Sequence, residues 1–223
     1  MNETVLDFIS LNRQVHQGVE YVHANNNSKK LVIIFSGATR TFNLISGFIN
    51  EKSRDYLWIS EADLFGDQYF RWYSDEVYTE ILSTILPRYE KQNIFLCGSS
   101  MGGYAALKYG MLFSTPNYII RAPQIDLQIA SKHFTMSRAT GFIDIWKTFP
   151  SNLAKNFYIE IPNFEPDLLQ FDLIKPLLDA SPGLKIFNKL IEPSHVGGMW
   201  DSKRVSNVLN FFEQMYTPLQ PTL

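Results

Sequence analysis

An α/β architecture, with a mainly parallel sheet covered by helices on both faces, is what this sequence predicts, on three observations. Short apolar, β-rich runs alternate with segments whose apolar residues recur at helical spacing. One junction, "IFLCGSSMGGYAAL" from Ile94 to Leu107, passes from strand to glycine–serine turn to helix within a few residues. And 223 residues, 45% of them hydrophobic, suffice to bury one sizeable core. No repeat or long linker divides the chain, so residues 1–223 are expected to form one domain.

The elements follow in order. "VEYVHA" and "KLVIIFSG" are β-rich and flank the polar stretch "NNNSKK", which suggests a strand pair joined at Asn25 to Lys30. "YLWIS", Tyr56 to Ser60, is the next short apolar run. Ser74 can cap a helix whose apolar positions Val77, Tyr78, Ile81, Leu82 and Ile85 recur at helical spacing, with Pro87 closing it. "NIFLC" is a strand, followed by a helix from Met101 to about Leu112. "NYIIRAP", "NFYIEIP" and "LKIFNKLI" are the remaining strands. Asp201 or Ser202 can cap a closing helix with Val205, Val208, Leu209, Phe212 and Met215 on one face.

Several function classes are disfavoured. Net charge is −2 and no basic run interleaves with aromatics, so no nucleic-acid partner is expected. Cys97 is the single cysteine, which excludes an intrachain disulfide and suits a reducing compartment. The start, "MNETVLDFISLNRQ", lacks a basic region followed by an apolar one, and no apolar run approaches the roughly 20 residues of a membrane span. A cytoplasmic protein is the expectation. With no HExxH and one lone cysteine, no metal site is expected; the expectation for cofactors is also none.

The chemistry centres on G-x-S-x-G: Gly98, Ser99, Ser100, Met101, Gly102. Where a buried strand turns sharply into a helix, glycines remove Cβ atoms that would clash and the central side chain stands above the sheet edge. The helix start directs free N–H groups and partial positive charge toward Ser100, a setting that favours an oxyanion. A phosphate-binding turn would need a lysine after the last glycine, but Gly103 is followed by Tyr104.

A serine hydroxyl needs a base. His16 and His23 precede the parallel part of the sheet, and His133 lies between two late strands. His195, in "IEPSHVGGMW" between the last strand and the last helix, is the preferred base. The orienting acid is expected in "NFEPDLLQFD", after the strand before His195. Glu165, four residues beyond Ile161, is slightly preferred. Asp167 is kept beside it, although Asp167 with Gln170 three residues on could instead be a helix capping box. Asp172 reads as a helix surface residue. Two backbone donors complete an oxyanion hole: Met101 N–H, and Ala38 N–H in the loop "SGATR".

These residues resemble the α/β-hydrolase family, from about Lys30 to Tyr216. The order Ser100, then Glu165 or Asp167, then His195 is that family's nucleophile–acid–histidine order. "CGSSMGGYAAL" is the specific part, with "FSGA" and "PSHVGG" in support. More loosely, "APQIDL" is similar to hydrolase-like proteins of bacterial surface-polysaccharide and glycoprotein-export systems. The resemblance implies the α/β-hydrolase fold and a serine hydrolase or acyltransferase acting on a small-molecule or saccharide-linked acyl ester. It also leaves open a catalytically inactive binding or assembly partner. Departures are the loop "SGATR", in place of the histidine–glycine sequence of many lipases, and the ambiguous acid. Residues 127 to 155, with Phe134, Met136, Phe142, Ile145, Trp146 and Phe149, are expected as a short cap broken by Gly141 and Pro150, lining an acyl pocket or packing as core.

Overall fold

Successive residues of the run Leu31–Phe35 belong to two different apolar layers. Leu31, Ile33 and Phe35 pack into one cluster, Val32 and Ile34 into the other, and the run from Ile94 divides the same way. Burial on both faces is why these runs read as continuously apolar rather than alternating. The computed structural model describes residues 4–39, 41–61, 72–74, 76–133, 142–148, 155–191, 193–195 and 200–216.

Among the described residues, eight strands form one sheet: β1 (Arg13–His16), β2 (Val19–Ala24), β3 (Leu31–Phe35), β4 (Asp55–Ile59), β5 (Ile94–Ser99), β6 (Asn117–Arg121), β7 (Asn156–Ile161) and β8 (Lys185–Lys189). Their spatial order is β1-β2-β4-β3-β5-β6-β7-β8. The β1–β2 and β2–β4 pairs are antiparallel and the rest are parallel. The helices are α1 (Val5–Asn12), α2 (Ile45–Phe48), α3 (Glu76–Ile85), α4 (Met101–Phe113), α5 (Leu127–His133), α6 (Ile145–Thr148), α7 (Glu165–Ala180) and α8 (Ser202–Tyr216). Helices α3, α4, α6 and α7 supply buried side chains to one layer, and α1, α2 and α8 to the other.

The expected pairing of "VEYVHA" with "KLVIIFSG" is corrected: β4 lies between β2 and β3. The polar connection explains why it does not fold back as a hairpin. Asn26 N–H and Ser28 N–H both donate to Asp55 Oδ1, at 2.6 and 3.1 Å, and Asn26 Nδ2 donates to the Arg54 carbonyl. The connection therefore wraps the start of β4. Helix α1 and strand β1 were not expected from the sequence; α1 is opened by a capping box between Thr4 and Asp7.

Elsewhere the periodic segments fold as read. Val77, Tyr78, Ile81, Leu82 and Ile85 are all buried, and Pro87 sits in the 3-10 turn Leu86–Arg88 that ends α3. Asp201 Oδ1 accepts from Arg204 N–H at 2.7 Å and caps α8. Met215, expected on the buried face of α8, is instead exposed.

In the expected cap, Phe134, Met136, Gly141, Phe149 and Pro150 lie outside the described residues. Ile145 is core, and Phe142 stacks on Tyr104 with ring centroids 4.6 Å apart. No helix among the described residues is long and apolar enough to cross a membrane.

Candidate active site

The turn at Ser100 is strained in the way its sequence requires. Ser100 has φ 56° and ψ −118°, a conformation that costs a non-glycine residue roughly 1–3 kcal/mol. Its N–H donates to the Arg121 carbonyl at 2.9 Å, which pins the turn to β6. The flanking glycines are sterically obligatory. A Cβ on Gly98 would lie 2.1 Å from the Gly102 carbonyl oxygen, and one on Gly102 would lie 2.3 Å from the Phe35 carbonyl oxygen. So strand β5, helix α4 and the end of β3 approach closer than any side chain would allow.

Ser100 is the N-cap of α4, yet its side chain makes no capping bond. The hydroxyl is engaged elsewhere: Ser100 Oγ lies 2.7 Å from His195 Nε2. On the other side of the ring, His195 Nδ1 lies 2.8 and 2.9 Å from Asp167 Oδ1 and Oδ2. The Asp167 side chain is fully buried and the His195 side chain is 12% exposed. A neutral imidazole carries one proton; facing a carboxylate, Nδ1 holds it and Nε2 is left to accept from the serine hydroxyl.

The slight preference for Glu165 is corrected. Glu165 is the first residue of α7 and exposed, while Asp167 is turned inward. Pro166 decides the phase. It occupies the first turn of α7, where a missing N–H costs nothing, so the helix begins ahead of Asp167 rather than at it. The capping box of Asp167 with Gln170 is corrected for the same reason: the N-cap is Phe164. Residues three and four apart share a helix face, and residues two apart do not. Pro166, Asp167, Gln170, Phe171, Ile174 and Leu178 are the buried stripe, and Glu165 falls off it. Asp172 is exposed, as expected.

The remaining expected residues are placed as follows. Met101 is the first residue of α4, a position whose N–H has no acceptor within the helix. Ala38 is exposed in the turn after β3. That loop runs beside the elbow, since a Cβ on Gly37 would come 3.4 Å from the Ser99 carbonyl oxygen. Ser36, which opens the loop, is held by the buried Tyr73 hydroxyl, 2.8 Å from its carbonyl oxygen and 2.9 Å from its Oγ. Among the other histidines, His16 bonds Glu80, His23 lies in β2 and His133 ends α5.

Two residues at the site were not expected. Gln124 Nε2 donates to Asp167 Oδ1 at 3.1 Å, and Gln170 Nε2 donates to Gln124 Oε1 at 3.1 Å. Gln124 lies within "APQIDL". Gln170, seen in the sequence only as a possible capping partner, was the available signal. A cleft of about 400 Å³ lined by Lys91, Gln92, Ser114, Pro116, Asn156, Met215 and Tyr216 lies at the other end of the strands from Ser100.

No family model and no curated protein matches the sequence. Solved structures do match. The capsule O-acetyltransferase of Neisseria meningitidis serogroup A is 19% identical, with 91% of this chain and 93% of that chain covered at a TM-score of 0.66. An α/β hydrolase enzyme from the metagenome of lagoon sediments at Mar Chica is 13% identical, covering 91% and 98% at a TM-score of 0.59. An α/β serine hydrolase homologue from Coxiella burnetii is 14% identical, covering 92% and 96% at 0.55. The chain has the α/β-hydrolase fold, and it is similar in fold to an enzyme of capsule O-acetylation.

Proposed function

We propose that the protein cleaves or transfers an ester-linked acyl group through an acyl-enzyme on Ser100. The observation that carries this is the unbroken series Ser100 Oγ, His195, Asp167, at 2.7 and 2.8 Å, on an elbow whose geometry is otherwise costly. Ser100 attacks the acyl carbon as His195 Nε2 takes its proton. Asp167 holds the imidazolium that results, and the proton then passes to the leaving group. Met101 N–H and Ala38 N–H are the proposed oxyanion donors. Water or a hydroxyl acceptor resolves the acyl-enzyme and regenerates Ser100.

A saccharide hydroxyl is the acceptor we favour, supported by the fold shared with a capsule O-acetyltransferase. The alternative is an inactive binding partner in surface-polysaccharide or glycoprotein export; the bond between Asp167 and His195 favours the enzyme over it. The cytoplasm is the expected compartment, supported by the single cysteine, Cys97, buried in β5.

The test is a partition experiment. An aryl acetate should give a burst of phenol matching the enzyme concentration, with an acetyl adduct on Ser100 by mass spectrometry. Added oligosaccharide should then divert acetyl from water to its hydroxyls. Release without diversion would make the protein a hydrolase; no burst and no adduct would remove the acyl-enzyme.

A further inference from the structure

Behind the carboxylate of Asp167 lies a chain of amides whose hydrogen-bond direction is fixed at its far end. Gln170 Oε1 accepts from two backbone donors, Ile125 N–H and Asp126 N–H, both at 2.8 Å. Backbone N–H groups can only donate, so the Gln170 oxygen must face them and its NH₂ must point the other way. That NH₂ donates to the Asp126 carbonyl at 3.0 Å and to Gln124 Oε1 at 3.1 Å. Gln124 is thereby oriented in turn: its NH₂ donates to the Ala122 carbonyl and to Asp167 Oδ1, both at 3.1 Å. Gln124 and Gln170 are each 1% exposed, so no water competes for these groups.

We propose that Gln124 and Gln170 are positioning residues that keep Asp167 an acceptor and so fix the tautomer of His195. The proposal rests on the acyl-enzyme reading for its consequence in catalysis, but not for its structural content. Read in order, every bond points one way: backbone 125–126 into Gln170, Gln170 into Gln124, Gln124 into Asp167. A protonated Asp167 turned toward Gln124 would meet an NH₂, which cannot accept. The Gln124 NH₂ thus fixes the plane of the carboxyl group so that its oxygens face the ring, where Nδ1–H of His195 donates to them and Nε2 faces Ser100 Oγ bare.

The two glutamines act in series, so removing both should cost no more than removing the nearer one. Effects that add would mean that the two act on Asp167 separately. The same short segment also anchors the region after β6. Asp126 Oδ1 accepts from Ile129 N–H at the start of α5, and its Oδ2 from Trp146 Nε1 in the α6 region.

The experiment uses Gln124→Leu, Gln170→Leu and their double variant in the full chain, with nitrogen-15 histidine labelling and His195→Ala to assign the ring signal. In wild type, at a pH where the imidazole is neutral, His195 should show the Nδ1–H tautomer alone. In Gln124→Leu and Gln170→Leu a mixture should appear, with kcat down roughly 10–100-fold and KM within about twofold, as for other residues that orient a reacting group from behind. The double variant should match Gln124→Leu. If a leucine variant does not fold, Gln124→Glu keeps the shape and the acceptor for Gln170. Once ionised it cannot donate to Asp167, so its turnover should fall relative to wild type as pH rises.

A wild-type tautomer in folded Gln124→Leu or Gln124→Glu would overturn the proposal, as would independent effects that add in the double variant. If wild type proves inert toward esters while its tautomer still depends on Gln124, the relay stands and the acyl-enzyme reading fails.

Discussion

Asp167 directs both carboxylate oxygens at one atom, His195 Nδ1, at 2.8 and 2.9 Å. Asp167 stands in the first turn of α7 and His195 in the segment between β8 and α8, and their meeting closes the line from a buried carboxylate to the Ser100 hydroxyl.

Asp167→Asn should therefore lower kcat by roughly two to four orders of magnitude with little change in KM. The amide can present an N–H to Nδ1 and favour the wrong tautomer, an effect felt chiefly in the transition state. Glu165→Gln should stay within about twofold of wild type, because Glu165 is exposed on another face of α7. Steady-state kinetics on one ester substrate checks both. A large loss in Glu165→Gln alone would return the acid role to it.

How legible was this site in the sequence? The elbow was, because it is local: strand, turn and helix are contiguous from Ile94 onward, and the clashes that require Gly98 and Gly102 arise within that turn and against β3. His195 was legible from its place after the last strand. Which carboxylate faces His195 was not, because that depended on the phase of α7. The spacing of Asp167, Gln170, Phe171, Ile174 and Leu178 contains the answer, but only once Pro166 is read as part of the first turn. Gln124 and Gln170 are 46 residues apart, and no local pattern announces their bond. The same holds for β4 between β2 and β3, a matter of long-range pairing.

Gly102→Ala should be among the more damaging small substitutions. Its added methyl would face two backbone carbonyl oxygens, of Phe35 at 2.3 Å and Ser36 at 2.8 Å, which cannot rotate aside as a side chain can. Overpacking of this kind costs typically 1–3 kcal/mol, and here it also displaces the loop that carries Ala38. Thermal or denaturant unfolding should show the loss, and any folded fraction should have impaired turnover. Wild-type stability and activity would contradict the close approach.

Lys155 gives a pH signature of stability away from the site. It is 1% exposed, its Nζ donates to Tyr118 Oη at 2.9 Å, and burial pushes its ammonium down to about 8 from 10.5. Between those values the unfolded chain holds a proton the folded protein has released, so stability rises with pH through that window. Below about 8 both states are charged and the cost of burying the charge is fully present. Lys155→Met, which removes that cost, should be more stable than wild type at pH 7, by on the order of 1–3 kcal/mol. The advantage should shrink as pH rises from 8 toward 10. Denaturant unfolding of the pair at several pH values checks this; a difference that does not change with pH would contradict it.

The central claim is that Ser100 is an activated nucleophile, and covalent labelling tests it most directly. Wild-type protein treated with a fluorophosphonate probe should gain one adduct, located on Ser100 by peptide mass spectrometry. Ser100→Ala should gain none, and Asp167→Asn and His195→Ala should label far more slowly. A wild-type protein that stays unlabelled, or a Ser100→Ala protein that labels as well as wild type, would contradict the account.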